Sequence, residues 1–211
     1  GRCRYDLGLF EVDERSALRV YPYLKPDYML ITNLSRDSIM RNAHPEYIRD
    51  ILTKYIPKET KLILNADDLI CCGIAPENPR VYFGIEKMDT DVTDCVNLIN
   101  DLQICPQCHR RLEYEYRRYN HIGRAYCPHC GFKAPAYDYA GCHVDLDKMR
   151  IDVRDAAGIG HYRLLNESIF NIYNVVSAVA LLREIGYSHA QIETFFAKLN
   201  IVGSRYDAET I

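Results

Sequence analysis

Tyr28-Met-Leu-Ile-Thr32 and Lys61-Leu-Ile-Leu-Asn65 are short apolar runs on either side of a helical stretch, Pro45 to Tyr55. Both runs are bounded by polar or turn residues, as buried strands are. Pro45 suits the first turn of a helix. Apolar residues then recur on one helical face, at Ile48, Ile51, Leu52 and Tyr55. Strand, helix and strand at this spacing predict right-handed crossovers, a parallel sheet and an α/β fold.

Two more runs extend this pattern. Leu7 to Val12 and Arg80 to Gly84 are also short, apolar and bounded by polar residues, so we predict that both are strands of the same sheet. The region from Tyr137 to Tyr162 is typical of short strands and turns. Within it, Gly158-Ile-Gly160 is only a fragment of a phosphate-loop pattern, and we interpret it as a hairpin turn.

The later part of the chain is predicted to be helical. A long helix covers Leu164 to Glu184 and ends at Gly186. Ser188 and Gln191 have the spacing of a capping box at the start of a second helix. We expect that helix to bury four apolar residues, Ile192, Phe195, Phe196 and Leu199.

Four cysteines form the most specific motif. Cys105-Pro-Gln-Cys108 and Cys127-Pro-His-Cys130 are separated by eighteen residues. This spacing is that of structural zinc sites, in which four thiolates bind the metal tetrahedrally and leave no open position for chemistry. Ordinary reduced thiols or two disulfides are the alternatives. The motif therefore predicts a metal site and says almost nothing about catalysis.

The segment around these cysteines is predicted to be a zinc ribbon. From Leu112 onward apolar and charged residues alternate as in a half-exposed strand, Asn120 to Gly123 supply a turn, and Arg124 to Tyr126 return to the second cysteine pair. We place this β-hairpin insertion at 103–135, within an α/β body at 1–102 and 136–211. A ribbon of this size needs its metal to fold. We expect the core of the α/β body not to depend on the ribbon. Three nearby histidines are expected to face solvent, namely His109, His121 and His129.

Composition narrows the class of protein. The chain has 211 residues, of which 48% are hydrophobic, and 26 basic against 29 acidic side chains, a net charge of -3. Nucleic-acid binders usually carry a basic surplus, so this balance disfavours nucleic acid as a partner. The cysteines outside the quartet show no disulfide-like pattern, which favours a reducing, cytoplasmic compartment; they are Cys3, Cys71, Cys72, Cys95 and Cys142. No apolar run reaches the length of a transmembrane helix. Because the chain opens at Gly1 without Met, we expect it to be a fragment.

Polar residues follow three of the predicted strands. They are Glu11-Val-Asp13-Glu14, Thr32-Asn33 and Asn65-Ala-Asp67-Asp68. Parallel α/β sheets bind ligands at the carboxyl ends of their strands, and Mg²⁺ prefers oxygen ligands and substrate phosphates. The alternative is that these residues cap helices, as Asp and Asn often do. The pattern leaves a metal–nucleotide site and helix capping both open.

An ordered set of motifs resembles the Mur ligases. They are Glu11-Val-Asp-Glu14, Thr32-Asn-Leu-Ser-Arg-Asp37, Leu64-Asn-Ala-Asp-Asp68, Tyr82-Phe-Gly84, Phe170-Asn-Ile-Tyr-Asn174 and Gly203-Ser-Arg205. Mur ligases use ATP to activate a carboxylate as an acyl phosphate during the synthesis of peptidoglycan precursors. A four-cysteine ribbon after the Phe-Gly strand is similar to the MurT family specifically. The resemblance covers nearly the whole chain and implies the central domain of such a ligase.

The resemblance implies a reaction and a partner. MurT proteins pair with a class I glutamine amidotransferase, GatD, and amidate the D-glutamate of the lipid II stem peptide to isoglutamine. It therefore implies a bacterial, cytoplasmic ligase that acts on a membrane-bound precursor with Mg²⁺ and ATP. An amidotransferase subunit would supply the ammonia, because Cys71-Cys72 lacks the turn and histidine of a glutaminase and is expected to be a buried packing pair.

The resemblance also matches individual residues of this chain to functional residues of the Mur ligases. Glu11 matches the carboxylate that holds Mg²⁺ beside the γ-phosphate. Asn171 and Asn174 match asparagines on the helix that meets the adenine, with helix capping or an interior amide as the alternative. Arg205 matches an arginine near the phosphates. Asn65 and Asp68 are expected to shape the site and not to react.

Departures from the family are also present. The chain contains no glycine-rich phosphate loop with Lys and Ser/Thr. Ser38 stands where Mur ligases have a metal-binding His and MurT proteins a Gln, Met40 replaces an Asp, and Ile51 falls near the carbamylated lysine. A C-terminal domain would lie beyond Ile211. We therefore expect weak binding of Mg-ATP and no turnover by this piece alone. Another Mur-type amino-acid ligase and a non-enzymatic zinc-ribbon adaptor remain as alternatives.

Overall fold

A mixed six-stranded sheet forms the centre of the molecule. The computed structural model describes residues 6–34, 45–94 and 102–199. Its strands are β1 (Tyr28–Ile31), β2 (Lys61–Asn65), β3 (Arg80–Ile85), β4 (Glu113–Tyr119), β5 (Ile122–Tyr126), β6 (Tyr139–Asp145), β7 (Arg150–Asp155) and β8 (Gly158–Arg163). The large sheet has the order β1-β2-β3-β6-β7-β8, and β4 and β5 form a separate antiparallel hairpin. The α/β prediction is confirmed, with a parallel part, β1-β2-β3-β6, extended by two antiparallel strands.

Helices cover both faces of this sheet. They are α1 (Ala17–Val20), α2 (Pro45–Tyr55), α3 (Leu69–Cys72), α4 (Ile169–Ile185) and α5 (His189–Ala197), with a short 3₁₀ turn at Glu14–Ser16. Ile63 packs in the core shared with α4 and α5, whereas Leu62 and Leu64 pack in the core shared with α1 and α2. Successive side chains of a strand point to opposite faces, so β2 is apolar throughout because both of its faces are buried.

The predicted C-terminus of α4 and the predicted capping box of α5 are confirmed, whereas α4 begins at Ile169 and not at the predicted Leu164. Leu164 instead follows β8 and donates its N–H to the carbonyl of Met149. Gly186 ends α4 with a φ of 108°, a left-handed conformation that favours glycine. Ser188 and Gln191 form the capping box at the start of α5. Burial along α5 is confirmed only for Ile192 and Phe196, since Phe195 and Leu199 are 44% and 41% exposed. A short amphipathic helix buries one stripe, and these two residues lie beside it.

The strand predicted at Leu7 to Val12 is wrong. The segment has no strand pairing, and Leu9 and Phe10 are exposed. Among the residues that the structure describes, β1 pairs with β2 alone. A strand is stable only where its backbone pairs with another, so an apolar alternating pattern is not sufficient.

The closed end of the β4–β5 hairpin is inserted into the α/β body. Ile122 is fully buried and belongs to the same core cluster as Phe83 and Ile63. The backbone N–H of Gly123 donates to the carbonyl of Asp67, 2.9 Å away, in the loop after β2. The expectation that the body's core does not depend on the insertion is therefore wrong. Part of that core is supplied by the hairpin itself.

Candidate metal centre and active-site edge

The four predicted zinc ligands come together in one cluster. The sulfur atoms of Cys105, Cys108, Cys127 and Cys130 all lie within 4.8 Å of one another. The shortest distances are 3.6 Å from Cys105 Sγ to Cys130 Sγ and 3.5 Å from Cys108 Sγ to Cys127 Sγ. A tetrahedron of thiolates about 2.3 Å from zinc has sulfur–sulfur edges of about 3.8 Å. This thiolate cluster, the four cysteines together, therefore has the donor set and the size to bind zinc.

The two cysteine pairs have the same backbone turn. The N–H of His109 donates to the carbonyl of Cys105, and the N–H of Gly131 donates to the carbonyl of Cys127, each at 3.0 Å. Both residues after the second cysteine are left-handed, with φ of 59° at His109 and 76° at Gly131. The N–H of Gln107 also points at Cys105 Sγ, 3.4 Å away. Backbone N–H groups aimed at sulfur stabilise thiolates and orient them toward a metal.

The pKa of the Cys127 thiol is lowered, whereas at Cys108 and Cys130 hydrogen bonds from backbone N–H groups are outweighed by burial and the neighbouring thiols, which raise the pKa values of these two thiols. Burial raises the pKa of Cys127, but hydrogen bonds from the backbone N–H groups of Cys130 and His129 outweigh this and lower the pKa to about 7. Metal ligands must be deprotonated, so the hydrogen bonds at Cys127 favour the form of this thiol that zinc binds. The predicted exposure of His109 and His129 is confirmed, which leaves the cluster with sulfur donors only.

The prediction that His121 faces solvent is wrong. Its side chain is fully buried, and its Nε2 lies 3.1 Å from Asp68 Oδ1. Asp68 also caps α3 by accepting hydrogen bonds from the N–H groups of Ile70 and Cys71. The N–H of Leu34 donates to the other carboxylate oxygen at 2.7 Å. The capping alternative is therefore the observed one at Asp68.

Asp67 is at the centre of a second buried cluster. Arg118 of β4 donates to Asp67 Oδ2 at 2.8 Å, and Tyr173 of α4 donates to the same oxygen at 2.7 Å. Tyr137 donates to Oδ1, and the N–H of Ile85 completes the set. We call Asp67, Arg118, Tyr137 and Tyr173 the Asp67–Arg118 centre. Protein donors occupy both carboxylate oxygens, so the structure favours an ion-pair role for Asp67.

Charge is balanced inside this centre. The side chains of Asp67 and Arg118 are 0% and 2% exposed. Burial lowers the pKa of Arg118, but Tyr173, Asp67 and Asp91 outweigh it and raise that pKa above its ordinary value. Burial and the nearby Asp67 carboxylate raise the pKa of Tyr173. Both tyrosines of the centre donate as neutral hydroxyls at neutral pH, since the pKa of Tyr137 is raised by the same causes.

Helix α4 runs antiparallel to β1, β2, β3 and β6. Near its C-terminus, Glu184 accepts hydrogen bonds from Tyr139 at the start of β6 and from Tyr28 at the start of β1. Near its N-terminus, Tyr173 contacts Asp67, which follows the carboxyl end of β2. The first turns of α4 therefore lie at the carboxyl edge of the parallel strands, where α/β sheets bind their ligands.

The structure places three of the predicted nucleotide-site residues. Asn171 Oδ1 accepts from the N–H groups of Leu165 and Asn166, at 3.1 and 3.3 Å, which is the capping alternative. Asn174 is exposed on α4. Glu11 is exposed and, with Thr32, lines a cavity of about 480 Å³ beside β1. Neither asparagine lines that cavity, so the structure does not bring Glu11 and Asn174 into one pocket.

Of the two other predicted site residues, Arg205 and Asn65, the structure describes Asn65. Arg205 lies outside the described residues. Asn65 bridges β1 and the loop after β2, because its amide donates to the carbonyl of Thr32 and its oxygen accepts from the N–H of Asp67. This agrees with the expected shaping role of Asn65.

Sequence reasoning missed four residues of this edge. They are Arg118, His121, Tyr137 and Tyr173. Arg118 belongs to a strand predicted as half-exposed, where a charged residue is ordinary. The available signal was the run Tyr116-Arg-Arg-Tyr119, which places an arginine between aromatic residues. Nothing in a linear pattern indicates that its partner is Asp67.

Comparisons with known proteins agree with this geometry. The chain is 30% identical over 193 residues to the lipid II isoglutaminyl synthase (glutamine-hydrolyzing) subunit MurT of Staphylococcus aureus (strain COL). That match covers 90% of this chain and 43% of the relative. The subunit of the same name from Streptococcus pneumoniae is 30% identical over 207 residues, covering 96% of this chain and 45% of the relative. No protein-family model matches the chain.

Solved structures give the same class. A pseudomurein peptide ligase type C from Methanothermus fervidus superimposes with a TM-score of 0.69 at 27% identity, covering 91% of this chain and 37% of that one. UDP-N-acetylmuramoyl-L-alanyl-D-glutamate–2,6-diaminopimelate ligase superimposes with a TM-score of 0.57 at 11% identity, covering 92% of this chain and 32% of that one. The second likeness shows the fold alone.

The fold, the sheet edge and these likenesses define a Mur ligase-like α/β protein. Within that class the chain is a relative of the MurT subunits, which confirms the family predicted from the ordered motifs. It spans less than half the length of the MurT subunits it matches. In the part of the chain that the structure describes, no helix has the length and apolarity to span a bilayer. The seven described cysteines are free thiols.

Proposed function

We propose that the complete protein carrying this chain is an ATP-dependent ligase that amidates the D-glutamate of the lipid II stem peptide. The observation that carries the proposal is the 30% identity to MurT, which extends over 90% of the chain. Sheet topology supports it, because the polar loops after β1 and β2 and the first turns of α4 share the carboxyl edge.

The chemistry has two steps. A carboxylate oxygen attacks the γ-phosphorus of ATP, ADP leaves, and an acyl phosphate forms. Ammonia then attacks the acyl carbon, and phosphate leaves with the electrons of the broken C–O bond. Positioning and charge stabilisation supply most of the catalysis in phosphoryl transfer. We assign Glu11 to Mg²⁺, Asn174 to the base and Arg205 to the phosphates, and we give Asn171 a supporting role.

We propose that the thiolate cluster holds one structural zinc ion. Four thiolates fill a tetrahedral shell, so this metal would supply folding energy and no catalytic water. The zinc of this proposal thus has a place of its own in the ribbon. The Mg²⁺ would lie with the ATP, beside the γ-phosphate and near Glu11, at the carboxyl edge.

Ammonia is proposed to come from a second subunit, a GatD-like glutamine amidotransferase. The two candidate nucleophiles outside the thiolate cluster in this region do not suit glutamine hydrolysis. Burial and Asp68 raise the pKa of the Cys71 thiol, and the same causes raise that of Cys72. Cys71 donates its S–H to Asp68. A thiol held in its neutral form is a poor nucleophile, and its role here is packing.

The magnesium assignment is tested by Glu11→Ala in the complete protein with its amidotransferase, lipid II, glutamine and Mg-ATP. We expect amidation, read by mass spectrometry of the stem peptide, to be abolished, because a ligand near the transferring phosphoryl group is lost. Glu59→Ala, an exposed carboxylate before β2, is the matched control and should retain activity. Full activity of Glu11→Ala would remove Glu11 from the site. This chain alone should hydrolyse no ATP, because it has no phosphate loop.

A second candidate function has a specific observation in its favour. The pseudomurein peptide ligase type C is 27% identical and superimposes over 91% of the chain, and a peptide ligase joins an amino acid instead of ammonia. The two candidates differ in the amine that attacks the acyl phosphate. Purified complete protein should be offered ammonium and each amino acid separately with Mg-ATP and lipid II. Amide formation with ammonium alone supports the MurT-type reaction, whereas a new peptide bond supports the other.

A further inference from the structure

The side chain of Tyr173 joins helix α4 to the buried polar groups of the sheet edge. Its hydroxyl donates to Asp67 Oδ2 at 2.7 Å and accepts from Arg118 Nη1 at 2.7 Å. Tyr173 is the residue directly before Asn174, and it is 2% exposed, whereas Asn174 is exposed. Neighbours on a helix are about 100° apart, so fixing the direction of Tyr173 also fixes the direction of Asn174.

Arg118 makes this connection rigid. Its Nη2 donates to the carbonyls of Ile85 and Glu86, each at 2.6 Å, and its Nε lies 3.2 Å from Asp91 Oδ1. A guanidinium holds five donors in a planar fork, so several partners fix its position at once. The side chain is 2% exposed, which removes the solvent screening that weakens surface ion pairs.

A second contact joins the hairpin to α4 one residue further along β4. The ring of Tyr119 lies 4.8 Å from that of Phe170 and 6.4 Å from that of Tyr173, centroid to centroid. Phe170 is 55% exposed and is one helical turn before Asn174. The hairpin therefore contacts α4 through a buried polar centre and through an aromatic contact, both at its first turns.

We infer that the closed end of the β4–β5 hairpin positions the nucleotide-facing turns of α4, with Arg118 as the positioning residue that acts through Tyr173. This rests on the proposed function for the role of Asn174. The hairpin would thus support the ATP site indirectly, by holding α4 in place. None of its residues is assigned to contact ATP. The open end of the hairpin, which carries the thiolate cluster, has no part in this positioning of α4.

The test compares two variants that make the same chemical change to the same carboxylate. Tyr173→Phe removes a hydroxyl on α4 that donates to Asp67, and Tyr137→Phe removes one that does so from the segment after the hairpin. Both keep the aromatic ring and both lose a buried hydrogen bond, so their stabilities should fall similarly. Only Tyr173→Phe releases α4 from Arg118.

Two readouts are needed in the complete protein with its partner. The first is hydrogen exchange of the amides of α4 without nucleotide. The second is steady-state kinetics with ATP. Loss of the hydrogen bonds of the Tyr173 hydroxyl to Asp67 and Arg118 should raise the exchange rate of the first turns of α4, and the KM for ATP, by roughly 3- to 10-fold in Tyr173→Phe. Since base contacts are made equally in ground and transition states, kcat should change less than about 2-fold. Tyr137→Phe should raise both by less than Tyr173→Phe does, because it keeps the contact between Arg118 and Tyr173.

Each outcome decides the inference. Equal exchange in the two variants would overturn the positioning role, because the loss of Tyr173 would then be an ordinary loss of stability. Faster exchange in Tyr173→Phe with an unchanged KM would overturn the link to the nucleotide. A wild-type protein that binds no ATP would overturn the proposed function and with it that link, while the exchange data would still decide the positioning role.

Discussion

The two ends of the β4–β5 hairpin differ in the partners of their polar groups. At the closed end, the Asp67–Arg118 centre satisfies a buried carboxylate with protein donors from four parts of the chain. At the open end, the thiolate cluster brings four sulfur atoms within 4.8 Å of one another, and thiolates so close require a cation. One end is complete as a protein structure, whereas the other has the donor set and the size of a metal site.

This difference separates two kinds of stabilisation. The thiolate cluster is built from residues near one another in sequence, and we propose that it binds an external ion. The Asp67–Arg118 centre joins residues 51 and 106 positions apart and depends on the folded body. Metal removal and mutation of the body should therefore have separate consequences.

The largest effect is expected at the thiolate cluster. Cys127→Ser removes the thiol with the lowered pKa, and structural zinc sites bind with about 10 kcal/mol or more of apparent free energy. We predict about one zinc per wild-type chain by elemental analysis, and a loss of zinc affinity of several orders of magnitude in the variant. Cys142→Ser, a free thiol outside the cluster, is the control and should keep the zinc. Zinc-free wild-type protein, or unchanged affinity in Cys127→Ser, would contradict the assignment.

Arg118→Met tests the closed end. It leaves the buried Asp67 with the more distant Arg124 Nη1, 3.9 Å from Oδ1, as its cationic partner, which should lower the free energy of unfolding by up to about 3–5 kcal/mol. Urea unfolding of the zinc-loaded protein measures this. Arg163→Met, an exposed arginine on β8, should change stability by less than about 0.5 kcal/mol. If the two variants are equally stable, the Asp67–Arg118 centre is not a stabilising feature.

The Asp68–His121 pair should give a pH dependence. Burial opposes ionisation of Asp68, but His121 and hydrogen bonds from Leu34 and Cys71 outweigh it and lower the pKa of Asp68 below its ordinary 3.8. A lowered carboxyl pKa adds stability above about pH 3.8 that is lost as the pH falls below it. Asp68→Asn should therefore flatten the acid part of the stability profile, and His121→Gln should do so partly. Identical acid profiles for wild type and Asp68→Asn would exclude this contribution.

The smallest effect concerns the two cysteine turns. His109 has a φ of 59° where the other turn has Gly131, and a left-handed non-glycine residue costs roughly 1 kcal/mol. His109→Gly should strengthen zinc binding by up to about that amount in a chelator competition. Gly131→Ala should weaken it similarly, since no atom lies within 4 Å of the added Cβ and the cost is conformational. Effects of the opposite sign would show that the two turns are not equivalent.

Much of the fold was accessible from sequence because its signals are local. The runs at β1, β2 and β3, the helix at α2 and the capping box of α5 are short-range patterns, and each is confirmed. The spacing of the four cysteines is also a short-range sequence pattern. The failed strand at Leu7 to Val12 shows the limit, since pairing depends on a neighbour that a local pattern does not reveal.

The candidate site was less accessible because its contacts are distant in sequence. Asp67 and Asp68 were recognised as polar strand-end residues, but whether they bind metal or pair with protein depends on Arg118 and His121, more than fifty positions away. His121 follows Asn120, in the turn between two strands, where a histidine is ordinarily exposed. Only the docking of the hairpin against the loop after β2 explains its burial.

The proposed reaction is tested by tracing the side-chain amide nitrogen of glutamine into the product. The complete protein and its amidotransferase should be supplied with lipid II, Mg-ATP and glutamine that carries an isotopic label in its side-chain amide. The account predicts labelled nitrogen in the new carboxamide of the stem peptide, in proportion to the ADP formed. ADP formation without labelled carboxamide, or a product joined to a whole amino acid, would contradict it.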